Sequence, residues 1–358
     1  MKKITVRLWI AALMIAAACS CSKSAEESDE QVVEGEGTEQ PDNNQPGQGG
    51  DNPGQGGVEF DPDAPVKWIS EVLEFLPAPG QFVNTSTADM AAAGKLAYTV
   101  RDGKVYPGRS TVSLGGFGGY IVFRFNHDVE NRDGTDFVIL GNAFGDSQYP
   151  QYSNSEPGIV QVSFDANGNG VHDDNEPWYE LRSVDREQEV EYSDYQITYT
   201  RPDDISKITD IAWSDNMGGS GTISTADIAQ FHSQCIYPLE EYFADGNVPE
   251  KLVFRGTKLK NSAINMGTVD SQYWTHETLS AGYVDNFSAD YDAIVNNDAD
   301  TKGGNKFDIS DAIDADGNSV TLDKITFIRV YNPMHEQCGW IGETSPEVCG
   351  AISLTAAK

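Results

Sequence analysis

From Val58 onward, short runs in which apolar and polar residues alternate recur along the chain, the period-two signature of half-buried strands. Val160, Val162 and Phe164 alternate in this way, as do Tyr195, Ile197 and Tyr199. The runs Ile121 to Phe125, Asp136 to Phe144 and Ile325 to Tyr331 are more continuously apolar and predict strands buried on both faces. Shorter strands are predicted over Ile208 to Trp213 and Leu252 to Phe254. An apolar stretch from Trp68 to Phe75 ends at Pro77-Ala78-Pro79-Gly80. Asp102-Gly103 and Asp314 to Asn318 are hairpin turns by their chemistry. One short helix is predicted over Thr85 to Gly94, with Ser86 or Thr87 as its cap. Many short strands with Gly/Asn/Asp turns define an all-β fold, a β-sandwich or jelly roll with long loops and one or two short helices. Residues 58–358 form this β-region, read as a single large domain or as two subdomains dividing near 200–250. The polar stretches Ser214 to Gly221 and Ser288 to Asn305 are predicted as long loops, which in compact domains often carry function.

The pattern breaks most informatively between Asp165 and Glu176. This stretch fits a twelve-residue calcium loop at each ligand position. Asp165, Asn167 and Asn169 stand at positions one, three and five. Gly170 takes the sharp turn, Val171 offers its carbonyl, Asp173 is ninth and Glu176 is the bidentate twelfth. Strand-like residues flank it on both sides, so the expected element is strand–loop–strand, a structural calcium clip. The competing reading is an acidic hairpin turn, because Asn, Asp and Gly also dominate turns. His172, inside the loop, is expected to face solvent. The segment Asp290, Asp292, Asn296, Asn297, Asp298, Asp300 is either a second cation site or a solvated loop.

Charge narrows the partners. Lys+Arg 24 against Asp+Glu 56 gives a net charge of -32, a field that repels nucleic acid and anionic lipid and attracts calcium. Residues 1–18 carry Lys2, Lys3 and Arg7, then an apolar run, then small residues before Cys19. This is a secretory signal too short to span a membrane. Ala16-Ala17-Ala18-Cys19 resembles a lipobox, with Cys21 as the second candidate for acylation. Residues 19–57 are acidic and then rich in Pro, Gly and Gln, a disordered tether. The acidic run Glu26 to Glu30 resembles a surface-export signal. The expected place is the outer membrane, lipid-anchored and facing the exterior, with no other membrane contact.

Candidate chemistry is sparse. No zinc-protease, serine-hydrolase or redox Cys-x-x-Cys pattern occurs outside the leader, and the expected protein is not an enzyme. The glycine-rich run Leu114 to Tyr120 lacks the lysine and helix of a phosphate loop, so its glycines are expected to serve tight turns and close backbone approach. Cys338 and Cys349 either close a disulfide or, with Cys235, remain buried thiols. Trp213, Trp274 and Tyr283 fall in or beside irregular stretches and are the candidate platforms for a sugar or planar ligand, with core packing as the alternative.

Several blocks together carry a resemblance: Pro77 to Asn84, Leu114 to Tyr120, Gly141 to Phe144, Ser155 to Gly158, Asp165 to Gly170, Trp178 to Leu181, Phe254 to Thr257 and Gly339 to Thr344. Through them the chain resembles a family of bacterial "cell surface protein" lipoproteins associated with TonB-dependent cobalamin uptake systems. The resemblance implies capture of a corrinoid (vitamin B12) as accessory to such a transporter. It carries over no ligand-contact residue, and Glu176-Pro177, Cys338 and Cys349 depart from the family's usual pattern. A calcium-dependent adhesin or glycan-binding module is the alternative.

Overall fold

The computed structural model describes residues 57–144, 152–286 and 305–356. The leader, the tether, both lipidation candidates Cys19 and Cys21, and the Asp290–Asp300 cluster lie outside the described residues.

The fold is all-β, built from antiparallel sheets with two short helices, Met90–Gly94 and Arg186–Glu189. Its main sheet has six strands in the spatial order Ala312–Ile313, Tyr179–Leu181, Ile159–Ser163, Lys324–Tyr331, Tyr120–Glu130 and Glu71–Leu76. A second sheet orders Asn305–Phe307, Phe137–Leu140 and Gly350–Ser353. The two share one hydrophobic core. Ile121, Phe123, Val160, Val162, Ile328 and Val330 come from the first sheet, and Phe137, Ile139, Phe307 and Ala351 from the second. These are the alternate residues that a period-two pattern turns to one face, which makes the pair a sandwich.

A third sheet, Ser220–Ile223, Ile211–Asp215, Val190–Thr200 and Lys251–Leu259, has a core of its own around Tyr195, Ile197, Tyr199, Leu252 and Phe254. It meets the sandwich at the glycine-rich run. A Cβ on Gly118 would sit 2.6 Å from Phe254 Cγ, and one on Gly115 would overlap the Ala78 carbonyl. The Tyr199 hydroxyl donates to the Phe117 carbonyl at 3.2 Å, and the Phe117 and Tyr195 rings meet edge to face at 4.9 Å. These glycines therefore serve close backbone approach.

Two local expectations change. The helix is shorter than Thr85 to Gly94 and is capped by Asp89, whose Oδ1 accepts the Ala92 N–H at 2.5 Å. Thr85 instead donates its hydroxyl to the Phe82 carbonyl at 2.5 Å, a local bond that competes with helix formation. Ser214 to Gly221 is no long loop, because Ile211–Asp215 and Ser220–Ile223 pair through a tight turn. Asp215 Oδ1 closes that turn by accepting the Met217 and Gly219 N–H groups, and Gly218 takes φ 88°. The first long strand begins at Glu71, after Trp68 has made only an isolated bridge to Ile352.

Candidate metal centre

The strand Ile159–Ser163 delivers the chain into the Asp165–Glu176 loop, and Tyr179–Leu181 takes it back into the same sheet beside it. Asp165 organises the turn. Its Oδ1 accepts the Gly168 N–H at 2.7 Å and the Asn169 N–H at 3.2 Å, while Oδ2 accepts the Gly170 N–H at 2.7 Å. Burial pulls its pKa upward, but these donors together outweigh it and hold the carboxyl below the usual carboxylate range. Asn167 Oδ1 accepts from Asn169 N, and Asn169 Oδ1 from Val171 N. Gly168 and Gly170 have φ of 73° and 78°, the left-handed conformation that favours glycine.

Glu176 closes the loop from the far end. It is 2% exposed, and its two oxygens accept the Ala166 and Asp173 N–H groups at 2.7 and 3.0 Å. Among the described residues no hydrogen bond reaches the Val171 carbonyl, so the oxygen at the seventh ligand position is uncommitted. The Asn167 and Asn169 amide nitrogens donate to Asp173 Oδ2 at 2.6 and 2.9 Å, which draws the third and fifth positions toward the ninth. The loop offers oxygens only, one of them the uncommitted Val171 carbonyl, and oxygen donors are the kind that a hard cation such as calcium takes. The loop is fixed to the sheet by Thr326, which accepts from Asp165 N, and by Arg124. Arg124 donates to the Gly170 carbonyl at 3.0 Å and pairs with Glu71 at 2.7 Å. His172 does not face solvent: its ring stacks on Trp178 at 4.3 Å and meets Phe327 edge-on at 5.6 Å.

A second set of carboxylates gathers where no sequence pattern pointed. Glu156, Asp285 and Glu347 bring one oxygen each within 4.8 Å of one another, and they are the one such acidic group found among the described residues. Asp165, Asp173 and Glu176 do not draw that close. Asp285 is pinned in place. Its Oδ1 accepts the Asn142 and Ala143 N–H groups at 2.6 and 2.7 Å, and its Oδ2 accepts the Glu347 N–H at 2.9 Å. Its φ of 56° is uncommon for a residue with a side chain. Gly141 is glycine because a Cβ there would lie 2.7 Å from Asp285 Cα and closer still to its carboxylate.

Burial raises the pKa of all three carboxyls. Mutual repulsion raises Glu156 and Glu347 further, while backbone N–H donors pull Asp285 back. Glu156 is half-buried as a residue, but its carboxyl is enclosed. Asn142 stands over the group, and with its amide nitrogen turned inward it donates to Glu347 Oε2 at 3.0 Å. Nearby Glu343 is pushed up to about 7 by burial, although Gln81 donates its backbone N–H to both carboxylate oxygens. Such a cluster is relieved by sharing protons or by taking up a cation.

The predicted aromatic platform does not assemble. Tyr283 is buried at 2% exposure, and its hydroxyl exchanges hydrogen bonds with Ser183 and Glu189, so it is a core residue. Trp213 lies within the strand Ile211–Asp215, packed against the third sheet's core and His335. Trp274 begins the strand Trp274–His276 and donates its Nε1–H to Gln272. Among the described residues no ring contact joins the three. The disulfide between Cys338 and Cys349 is also absent. All three described cysteines are buried thiols. Cys349 Sγ donates to Thr111, whereas Cys338 lies beside His276 and Thr344, so the two side chains serve different environments.

No protein-family model matches the chain, and no curated protein is significantly similar to it.

Proposed function

We propose that this chain is a non-enzymatic, calcium-braced ligand-binding module, held on the outer face of the outer membrane by a lipid on Cys19 or Cys21. The observation that supports it most is the Asp165–Glu176 loop, in which both acidic ends are held by backbone N–H groups around an uncommitted carbonyl. Beside the loop lies an open cleft of about 680 Å³, lined by Glu71, Arg124, His127, Asp128, Asp165 and Thr326. That volume falls in the range of small-molecule sites. On the family resemblance the first ligand to test is a corrinoid, passed on to a TonB-dependent transporter.

The lining favours a second reading, a calcium-dependent adhesin or glycan-binding module. Charged and hydroxyl side chains dominate the cleft, and they suit a hydroxyl-rich ligand better than the broad apolar rim of a corrin ring. The test passes the purified protein, mixed with cyanocobalamin, through a desalting column with and without a chelator. Coloured ligand travelling with the protein, and lost on chelation, supports corrinoid capture braced by calcium. Colourless protein at high ligand excess removes direct corrinoid capture and leaves the glycan reading, which a glycan array with and without calcium then tests. Calorimetry with calcium alone tests the brace. Saturable binding by the unsubstituted protein, weakened in Glu176→Gln, is expected, and no binding would overturn it.

A further inference from the structure

One wall of the open cleft is the calcium loop itself, through Asp165, Gly168 and Gly170, and most of the rest is main sheet. Several polar side chains on the sheet side already hold partners. Asp128 accepts the Thr326 hydroxyl at 2.7 Å and pairs with Lys324 at 2.7 Å. Asn126 accepts the Val66 N–H at 2.8 Å and donates to the Ala64 carbonyl at 3.0 Å. The His127 ring nitrogens meet Asn126 at 3.1 Å and Ser353 at 3.0 Å.

Arg124 and Glu71 keep capacity to spare. They are cross-strand neighbours in the main sheet. Arg124 donates from Nε and Nη2 to the same oxygen, Glu71 Oε2, at 3.0 and 2.7 Å, and from Nη1 to the Gly170 carbonyl at 3.0 Å. A guanidinium has more N–H groups than these three bonds use. Among the described residues no hydrogen bond reaches Glu71 Oε1. The two side chains are 29% and 51% exposed and both line the cleft, so spare donors and a spare acceptor stand side by side there.

Charge decides what suits them. The pair is neutral, and so is Asp128 with Lys324. An anion would compete with Glu71 for the guanidinium, against a chain of net charge -32. A cation would compete with Arg124 for the carboxylate. A hydroxyl both donates and accepts, so it uses the spare positions of each partner without parting them.

We propose that Arg124 and Glu71 are the contact pair of a saccharide subsite, taking neighbouring hydroxyls of one sugar ring, and that the Arg124 bond to Gly170 couples this grip to the calcium loop. The proposal rests on the glycan reading of the cleft. Gly170 carries the coupling, because its N–H is held by Asp165 Oδ2 at 2.7 Å while its carbonyl is held by Arg124. A Cβ at Gly170 would lie 2.8 Å from Arg124 Nη1, so glycine leaves room for the bond. A cation that fixes Asp165 thereby fixes the guanidinium.

The test titrates methyl α-mannoside, methyl β-galactoside and methyl α-fucoside, each alone, into the purified protein with calcium, following the Arg124 Nε–H resonance. Saturable binding of at least one glycoside is expected. It should weaken about tenfold or more in Glu71→Gln and stay unchanged in Glu74→Gln, on the same strand but outside the cleft. Chelation should weaken the glycoside about fivefold or more, and saturating glycoside should raise calcium affinity by the same factor. Arg124→Lys keeps the charge without the fork and should lose both the grip and the calcium dependence. If it fails to fold, Glu71→Gln and the resonance of the unsubstituted protein decide. Binding that Glu71→Gln leaves unchanged overturns the pair and keeps the glycan reading. Binding indifferent to chelation, while calcium itself binds, overturns the coupling. No saturable binding at millimolar glycoside overturns the subsite, and the glycan array then decides whether the wider reading survives.

Discussion

The Asp165–Glu176 loop and the Glu156–Asp285–Glu347 cluster use the same functional group in opposite surroundings. In the loop, the carboxylates of Asp165 and Glu176 are surrounded by N–H groups from their own turn, and those donors hold Asp165 in its ionised form. In the cluster, carboxylates from segments far apart in the chain are packed together, and burial pushes each toward its protonated form. The local acidic site is thus set up by neighbours in the chain as soon as its turn forms. A non-local one exists only once the whole sandwich has closed, and it carries the strain of that closure.

The contrast is broken or sharpened most by Asp285→Ala. That change leaves the N–H groups of Asn142, Ala143 and Glu347 without their acceptor, and denaturant unfolding should show a loss of about 3–5 kcal/mol. Gly141→Ala should cost about 1–3 kcal/mol by the same measurement, because its Cβ would press on the Asp285 backbone and carboxylate. In the loop, Glu176→Gln should weaken calcium binding about tenfold or more, close to 1.4 kcal/mol, and Asp285→Asn should leave it unchanged. A calcium affinity that follows Asp285 instead would reverse the roles of the two sites.

The pH dependence follows from Glu343, beside the cluster. Its folded value of about 7 lies above the ordinary 4.5, so the folded state binds more protons between them. Its contribution to stability is therefore present at low pH and is lost as pH rises from 4.5 to about 7. Glu343 adds at most about 1.4 kcal/mol per pH unit to a slope that Asp285, raised to about 7 by burial, also feeds, and Glu343→Gln should lower the slope by that share in unfolding curves taken between those values. Asp165 works in the opposite sense, contributing stability that is lost as pH falls through its lowered value. The smallest expected effect is Gly168→Ala, where nothing lies within 4 Å of a Cβ and only the left-handed φ of 73° opposes the side chain. About 1 kcal/mol by unfolding is expected, and a much larger loss would mean that the loop is packed more tightly than its exposure indicates.

The sequence by itself determined what depends on neighbours along the chain. Strand alternation over Val160–Phe164 and Tyr195–Tyr199 was legible because the pleat turns every second residue to one face. The hairpin at Asp102-Gly103 was legible because its φ values of 50° and 72° require turn residues. The loop's ligand pattern was readable for the same reason, since Asp165 reaches only N–H groups within five residues of it. Only the tertiary structure decided the rest. Tyr283, apparently in an irregular stretch, is buried because the third sheet's edge residue Leu259 and Tyr331 of the main sheet pack around it. Cys338 and Cys349 stay apart because Cys349 packs in a cluster with Val138, Leu140 and Ile352, whereas Cys338 lies beside His276 and Thr344. Glu156, Asp285 and Glu347 meet through hydrogen bonds between segments far apart in the chain. Such contacts leave no periodicity or spacing in the chain, because they are set by which sheet faces meet and not by which residues are adjacent.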